Sequence, residues 1–131
     1  VHLDAATQFE LDGRLLPGAE VPIDPAVDLR HARRVGDVTL NTAFSNIARA
    51  QDDTMRSTLT APTGEQVEVW GGSGFEYMVL YTTDRYPGHE LAIAIEPMTA
   101  PADAFNSGRG LRVLAPGETW TLEWGVNYTA G

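Results

Sequence analysis

Few side chains in this sequence can do chemistry, and the absent ones narrow the choices first. There is no cysteine and no lysine; all nine basic residues are arginine. Thiolate nucleophiles, disulfide frameworks, zinc ribbons, Schiff bases and P-loops therefore lack their essential groups. The three histidines stand far apart at positions 2, 31 and 89, without the spacing of a metal-ligand pair. Gly108-Arg109-Gly110 is glycine-rich, but it precedes a strand-like stretch and cannot aim a helix N-terminus at phosphate, so it reads as a turn. The unusual group is Glu96. It closes the apolar run Leu91-Ala92-Ile93-Ala94-Ile95 and is followed at once by Pro97. At the rim of a buried sheet, partial desolvation would make this carboxylate a usable base near neutrality. Otherwise it is a solvated acid capping the next turn. Asp103 and Asn106 are by default turn residues whose side chains satisfy loop backbone. Trp120 and Trp124, with Tyr77 and Tyr81, could form a stacking surface for sugar rings or pack across a core.

The elements that must hold these groups read as strands. Val1, Leu3, Ala5, Thr7 and Phe9 alternate with polar residues, the period-two mark of a half-buried strand. Asp12-Gly13 and Pro17-Gly18 then supply turns. Residues 24–36 read as a loop with at most one or two helical turns, begun by Asp24-Pro25 and ended by Gly36. Further strands are expected over Val38–Phe44, Met55–Ala61, Gln66–Trp70, Phe75–Thr82, Leu91–Ile95 and Leu111–Leu114, with Pro62-Thr63-Gly64 turning one hairpin. A last strand places Trp120, Leu122 and Trp124 on one face. Only residues 42–50 compete as a short helix. No internal repeat or low-complexity linker is visible, and the pattern predicts an all-β antiparallel sandwich.

The length of 131 residues suits one domain or a piece of one. With 18 acidic against 9 basic residues, net −9, the surface repels phosphate backbones and anionic lipid, so neither nucleic acid nor membrane is expected as a partner. The longest apolar runs, such as Met78-Val79-Leu80-Tyr81, are too short to cross a bilayer, and no charged-then-apolar leader opens the sequence. A cytoplasmic location is the expectation. Val1 in place of an initiating Met suggests a fragment or a processed chain.

Several segments together resemble a known family. Ile93-Ala94-Ile95-Glu96-Pro97-Met98-Thr99 leads through Asp103-Ala104-Phe105-Asn106 to Leu114-Ala115-Pro116-Gly117-Glu118. Upstream stand Asp28-Leu29-Arg30, Leu40-Asn41-Thr42-Ala43-Phe44 and Leu80-Tyr81-Thr82. In order and spacing these resemble the aldose 1-epimerase (galactose mutarotase) family over nearly the whole chain. The resemblance implies the C-terminal part of a galactose mutarotase-like β-supersandwich about twice this length. It implies an isomerase that interconverts the α and β anomers of a free, glucose- or galactose-like aldohexose without any cofactor or metal. In that reaction a Glu takes the proton from the C1 hydroxyl while a His protonates the ring oxygen. The ring opens, C1 rotates about its bond to C2, and closure on the other face inverts the anomeric centre. By this resemblance the base is Glu96 and a substrate contact is Asn41.

Departures from the family pattern set further expectations. The segment carrying the acid His would precede Val1, and His2 does not replace it. Asn41 occupies the place of a family Asp; it can still donate and accept hydrogen bonds but brings no charge. Val79, two residues before Tyr81, replaces a polar or aromatic sugar contact. Asp103 and Arg30 are expected to shape loops. The isolated chain is expected to have little activity and to expose an unpaired sheet edge, hence to associate. The alternative is a non-catalytic carbohydrate-binding β-sandwich derived from the same family, favoured by Asn41 and Val79. A purely structural β domain ranks last.

Overall fold

The computed structural model describes residues 1–131. Two antiparallel sheets pack together, so the all-β sandwich expected from the alternation is what forms. The strands are β1 (His2–Leu3), β2 (Ala5–Leu11), β3 (Pro17–Pro22), β4 (Asn41–Ile47), β5 (Met55–Thr60), β6 (Gln66–Gly71), β7 (Tyr77–Thr83), β8 (Ala92–Met98) and β9 (Trp124–Thr129), with one helical turn, α1 (Ala104–Ser107), between the last two. One sheet has four strands in the order β1-β5-β6-β9; the other has five in the order β3-β2-β4-β7-β8. No helix is long and apolar enough to cross a membrane.

Period-two patterning decides which side chains meet. On β7, Met78 and Leu80 are fully buried between the sheets, which turns Val79 and Tyr81 to the opposite face. Phe44 joins them from β4, and Leu3 and Met55 approach from the four-stranded sheet. Leu29, Val38 and Leu40, all in the long connection between β3 and β4, complete the same core. Each such side chain contributes roughly 1.5–3 kcal/mol on burial. Of the buried polar residues, Ser57 is fully buried and donates its hydroxyl to the His2 carbonyl at 2.9 Å. That bond offsets its desolvation.

The departures from the sequence reading have physical causes. The opening alternation belongs to two strands: the chain leaves the four-stranded sheet at Leu3 and enters the other at Ala5. Val1, Leu3 and Ala5 are buried in the core between the sheets, whereas Phe9 is buried on the outer face against Tyr77 and Arg109. Residues 17–22, read as starting with a turn, form an edge strand paired to β2, where prolines are tolerated because one side of the strand needs no donor. The same reason lets β8 run on through Pro97, so Glu96 lies inside an edge strand and not at its end. Residues 42–50 are mostly strand. Leu111–Leu114 forms no strand; there Arg112 stacks over Trp120 at 5.0 Å and pairs with Glu118 at 2.7 Å in an irregular segment. The final strand begins at Trp124 and not at Trp120, because Gly71, the last residue of β6, is the partner of Trp124.

The strand expected over Val38–Phe44 runs instead from Asn41 to Ile47, while two turn regions match the reading. The hairpin at Pro62-Thr63-Gly64 closes β5 onto β6, with Gly64 at φ +102° and its amide on the Ala61 carbonyl at 3.0 Å. The 24–36 region holds two single 3-10 turns, Pro25–Val27 and Val35–Asp37, the first capped by Asp24. The sandwich is offset at one side. β8 packs against β6, while β9, at the free edge beyond β6, carries Trp124, Val126 and Tyr128 at 61%, 58% and 68% exposure.

Truncating the layer between the sheets should be costly. Leu80→Ala is expected to destabilise the fold by about 3 kcal/mol, whereas Leu114→Ala, in the exposed segment, should stay within about 0.5 kcal/mol. Urea unfolding at constant slope measures both.

Candidate functional site

The outer face of the five-stranded sheet gathers the chemistry-bearing residues. Register places Asn41 opposite Tyr81 and Tyr81 opposite Ala94, giving one row across β4, β7 and β8. The next row is Ala43, Val79 and Glu96. Residues directly opposite one another in a sheet point to the same side. Asn41 and Glu96, 55 positions apart in sequence, therefore share one face. Two strand spacings, about 10 Å, and one two-residue step, about 7 Å, put their backbones about 12 Å apart.

Part of this face is roofed and part is open. The segment after β8 passes back over it: Pro101 and Ala104 are buried, Arg109 stacks on the Phe9 ring at 5.1 Å, and Gly110 lies so close to Tyr77 that a Cβ would meet the phenol oxygen at 3.2 Å. Phe9, Ala43 and Ser45 are buried beneath or beside it. Phe9 and Tyr77 form a tilted aromatic pair with centroids 5.9 Å apart. Asn41, Tyr81 and Glu96 stay exposed beyond this cover. Glu96 thus has the outward phase of its strand, and the partial desolvation expected of it is not provided by its neighbours. Those neighbours, Val79 across the strand pair and Ala94 two residues before it, leave a small aliphatic floor between Glu96 and Asn41.

A second polar group sits toward the roofed end. Thr7 lies opposite Ser45, and their hydroxyls are 2.8 Å apart. One oxygen of Glu20 accepts from Thr7, from Ser45 and from the Asn46 amide at 2.8, 2.8 and 2.9 Å. Asn46 reaches it from a left-handed backbone conformation, φ 48°, within β4. The hydrogen bonds from Ser45 and Thr7, helped by Arg109, hold the Glu20 carboxyl below its ordinary range despite some desolvation. Burial, with the Glu20 charge nearby, pushes the Tyr77 phenol up. This cluster was not visible in the sequence because β3, which carries Glu20, is masked by its prolines and glycine.

The remaining residues singled out earlier lie apart. His2 belongs to β1, His31 to the exposed connection before β4, and His89 to the β7–β8 turn, where it packs against Tyr86 at 5.7 Å. None is on the strands that form the Glu96 face. Trp124 is on the far sheet, and Trp120 lies outside any strand against Gly74, so the four aromatics do not make one surface. Asp103, at φ 62°, is engaged with Asn106 and with the amide of Ser107 in its own turn. Arg30 pairs with Asp28 at 2.6 Å, which lowers the Asp28 carboxyl to about 2. No three His, Asp or Glu side chains converge as a metal-binding group. A cleft of about 920 Å³ lies elsewhere, between β5 and β6 and the 32–37 connection, lined by Leu59, Val67, Val35 and Leu91 among others.

The lowered Glu20 carboxyl makes a pH prediction. Its stabilisation is complete above the ordinary value of 4.5 and is lost as pH falls through the lower folded value. Glu20→Gln should therefore be less stable than the parent at pH 7, with the gap narrowing by pH 3. Urea unfolding at both pH values tests it, and a constant gap would contradict the assignment.

Compared with protein-family models, with curated proteins and with solved structures, the chain finds no match.

Proposed function

We propose that the open face around Glu96 is the base-bearing part of an aldose 1-epimerase-like site, acting on a free aldohexose. What carries this reading is the convergence of Glu96 and Asn41 on one exposed face, with Tyr81 between them. A carboxylate and a carboxamide whose backbones are about 12 Å apart leave room for a pyranose ring between their side chains. Asn41 can donate to one sugar hydroxyl and accept from another. Glu96 takes the proton from the C1 hydroxyl; electrons collapse to the C1 carbonyl and the C1–ring oxygen bond breaks. The ring oxygen takes a proton from solvent at this open face, which completes ring opening. Rotation about C1–C2 and reclosure on the other face give the second anomer, with Glu96 returning its proton to the C1 oxygen and the ring-oxygen proton going back to solvent. Positioning and proton transfer are sufficient for this chemistry.

One observation favours the rival reading of a carbohydrate-binding sandwich without catalysis. None of the three histidines sits on the strands of the Glu96 face, and the side chain directly beside Glu96 is Val79. Exchange by this chain alone is therefore expected to be slow. Polarimetry of α-to-β interconversion of glucose and galactose separates the two readings. On the mutarotase reading, protein-dependent acceleration is lost by about 100-fold in Glu96→Gln. Saturable sugar binding without exchange, unchanged by Glu96→Gln, would select the binding module.

A further inference from the structure

We infer that Tyr81 is a sugar-binding residue of this face, its ring forming the platform on which the apolar side of a neutral pyranose rests. The inference rests on the carbohydrate reading above and adds a residue and a mode of recognition to it.

Tyr81 occupies an unusual position for an aromatic. β7 lies inside the five-stranded sheet, hydrogen-bonded to β4 on one side and β8 on the other. Interior strands usually cover their large side chains, and Tyr77 on the same strand and face is covered by Phe9 and the segment that crosses it. Tyr81, four residues on, is 42% exposed. Its direct neighbours are small or polar, Ala94 on one side and Asn41 on the other, and neither can shield a phenol ring. Glu96 is its diagonal neighbour on β8. Direct and diagonal sheet neighbours lie about 5 and 7–8 Å away, within reach of a ligand that touches all three side chains. The hydroxyl of Tyr81 takes part in no hydrogen bond within the chain, so it is free to meet a ligand.

The chemistry of the three groups matches a sugar ring. A pyranose presents hydroxyls around its edge and C–H bonds on its faces. A carboxylate and a carboxamide serve the edge, and an aromatic face serves the C–H side with little loss of conformational freedom. Val79 and Ala94, both small and aliphatic, are the residues of the floor between Tyr81 and Glu96.

The test uses the full chain and two methyl glycosides, methyl glucopyranoside and methyl galactopyranoside, which keep the ring closed. Binding is followed by amide chemical shifts in three proteins: the parent, Tyr81→Phe and Tyr81→Val. Valine keeps the β-branched preference of an interior strand, so the fold survives, and unchanged shifts away from the face verify this. Tyr81→Val is expected to weaken binding about tenfold, while Tyr81→Phe stays within about twofold. In the exchange assay Tyr81→Val should raise KM and leave kcat near the parent value, opposite to Glu96→Gln. Parent-like binding by Tyr81→Val, with binding lost in an Asn41→Ala control, would overturn the role of Tyr81 and leave the site standing. A Tyr81→Phe protein that binds normally but loses exchange would overturn the platform in favour of a phenol that delivers a proton. No binding of either glycoside by the parent would overturn the carbohydrate reading and this inference with it.

Discussion

The structure depends on the dry contact that Met78 and Leu80 make with Leu3, Met55 and Phe44 between the sheets. A strand has only two sides, so burying those two residues of β7 commits Tyr77, Val79 and Tyr81 to the other side. β7 pairs with β8 along its whole length and with β4 over Met78–Tyr81, and the commitment passes to both neighbours through the register. Slipping either pairing by one residue would exchange the faces and put Glu96 or Asn41 into the core, at a cost no local hydrogen bond could offset. The chemistry-bearing face is thus held by apolar residues that never touch it.

Much of this was legible in the sequence because period two survives almost every irregularity. The central place of residues 75–82, the hairpin at Pro62-Thr63-Gly64 and the near absence of helix all follow from alternation and turn residues. What was hidden lies where a local signal carries two meanings. Pro17 and Pro22 mark turns as readily as they mark an edge strand, and β3 disappeared behind them. Pro97 looked like a terminator because the edge position of β8 is a tertiary fact. Leu111–Leu114 is apolar enough for a strand, but it pairs with no strand and its arginine stacks on Trp120 instead.

The candidate site shows the same division. Glu96 stood out through its place behind an apolar run, although the burial inferred from that place is absent: the run supplies alternate residues to both faces, and Glu96 takes the outward one. Asn41 was singled out only by resemblance, since an Asn before Thr-Ala-Phe has no chemical signature of its own. That it lands beside Tyr81 comes from the β4–β7 register, which no single segment encodes. The Glu20 cluster needed both β3 and the left-handed turn at Asn46, and neither had a usable sequence signal.

The placement of the tryptophans bears on how this molecule is observed. Trp70 lies on the outward side of the four-stranded sheet against Gly125, Trp120 sits in the irregular segment, and Trp124 is on the bare edge strand. None belongs to the layer between the sheets. Selectively excited tryptophan emission therefore reports on the rim of one sheet, with no reporter on the strands that carry Glu96. A change in tryptophan emission on adding a small molecule would signal an event at β6, β9 or the 108–123 segment, and tryptophan silence would say nothing about occupancy beside Tyr81.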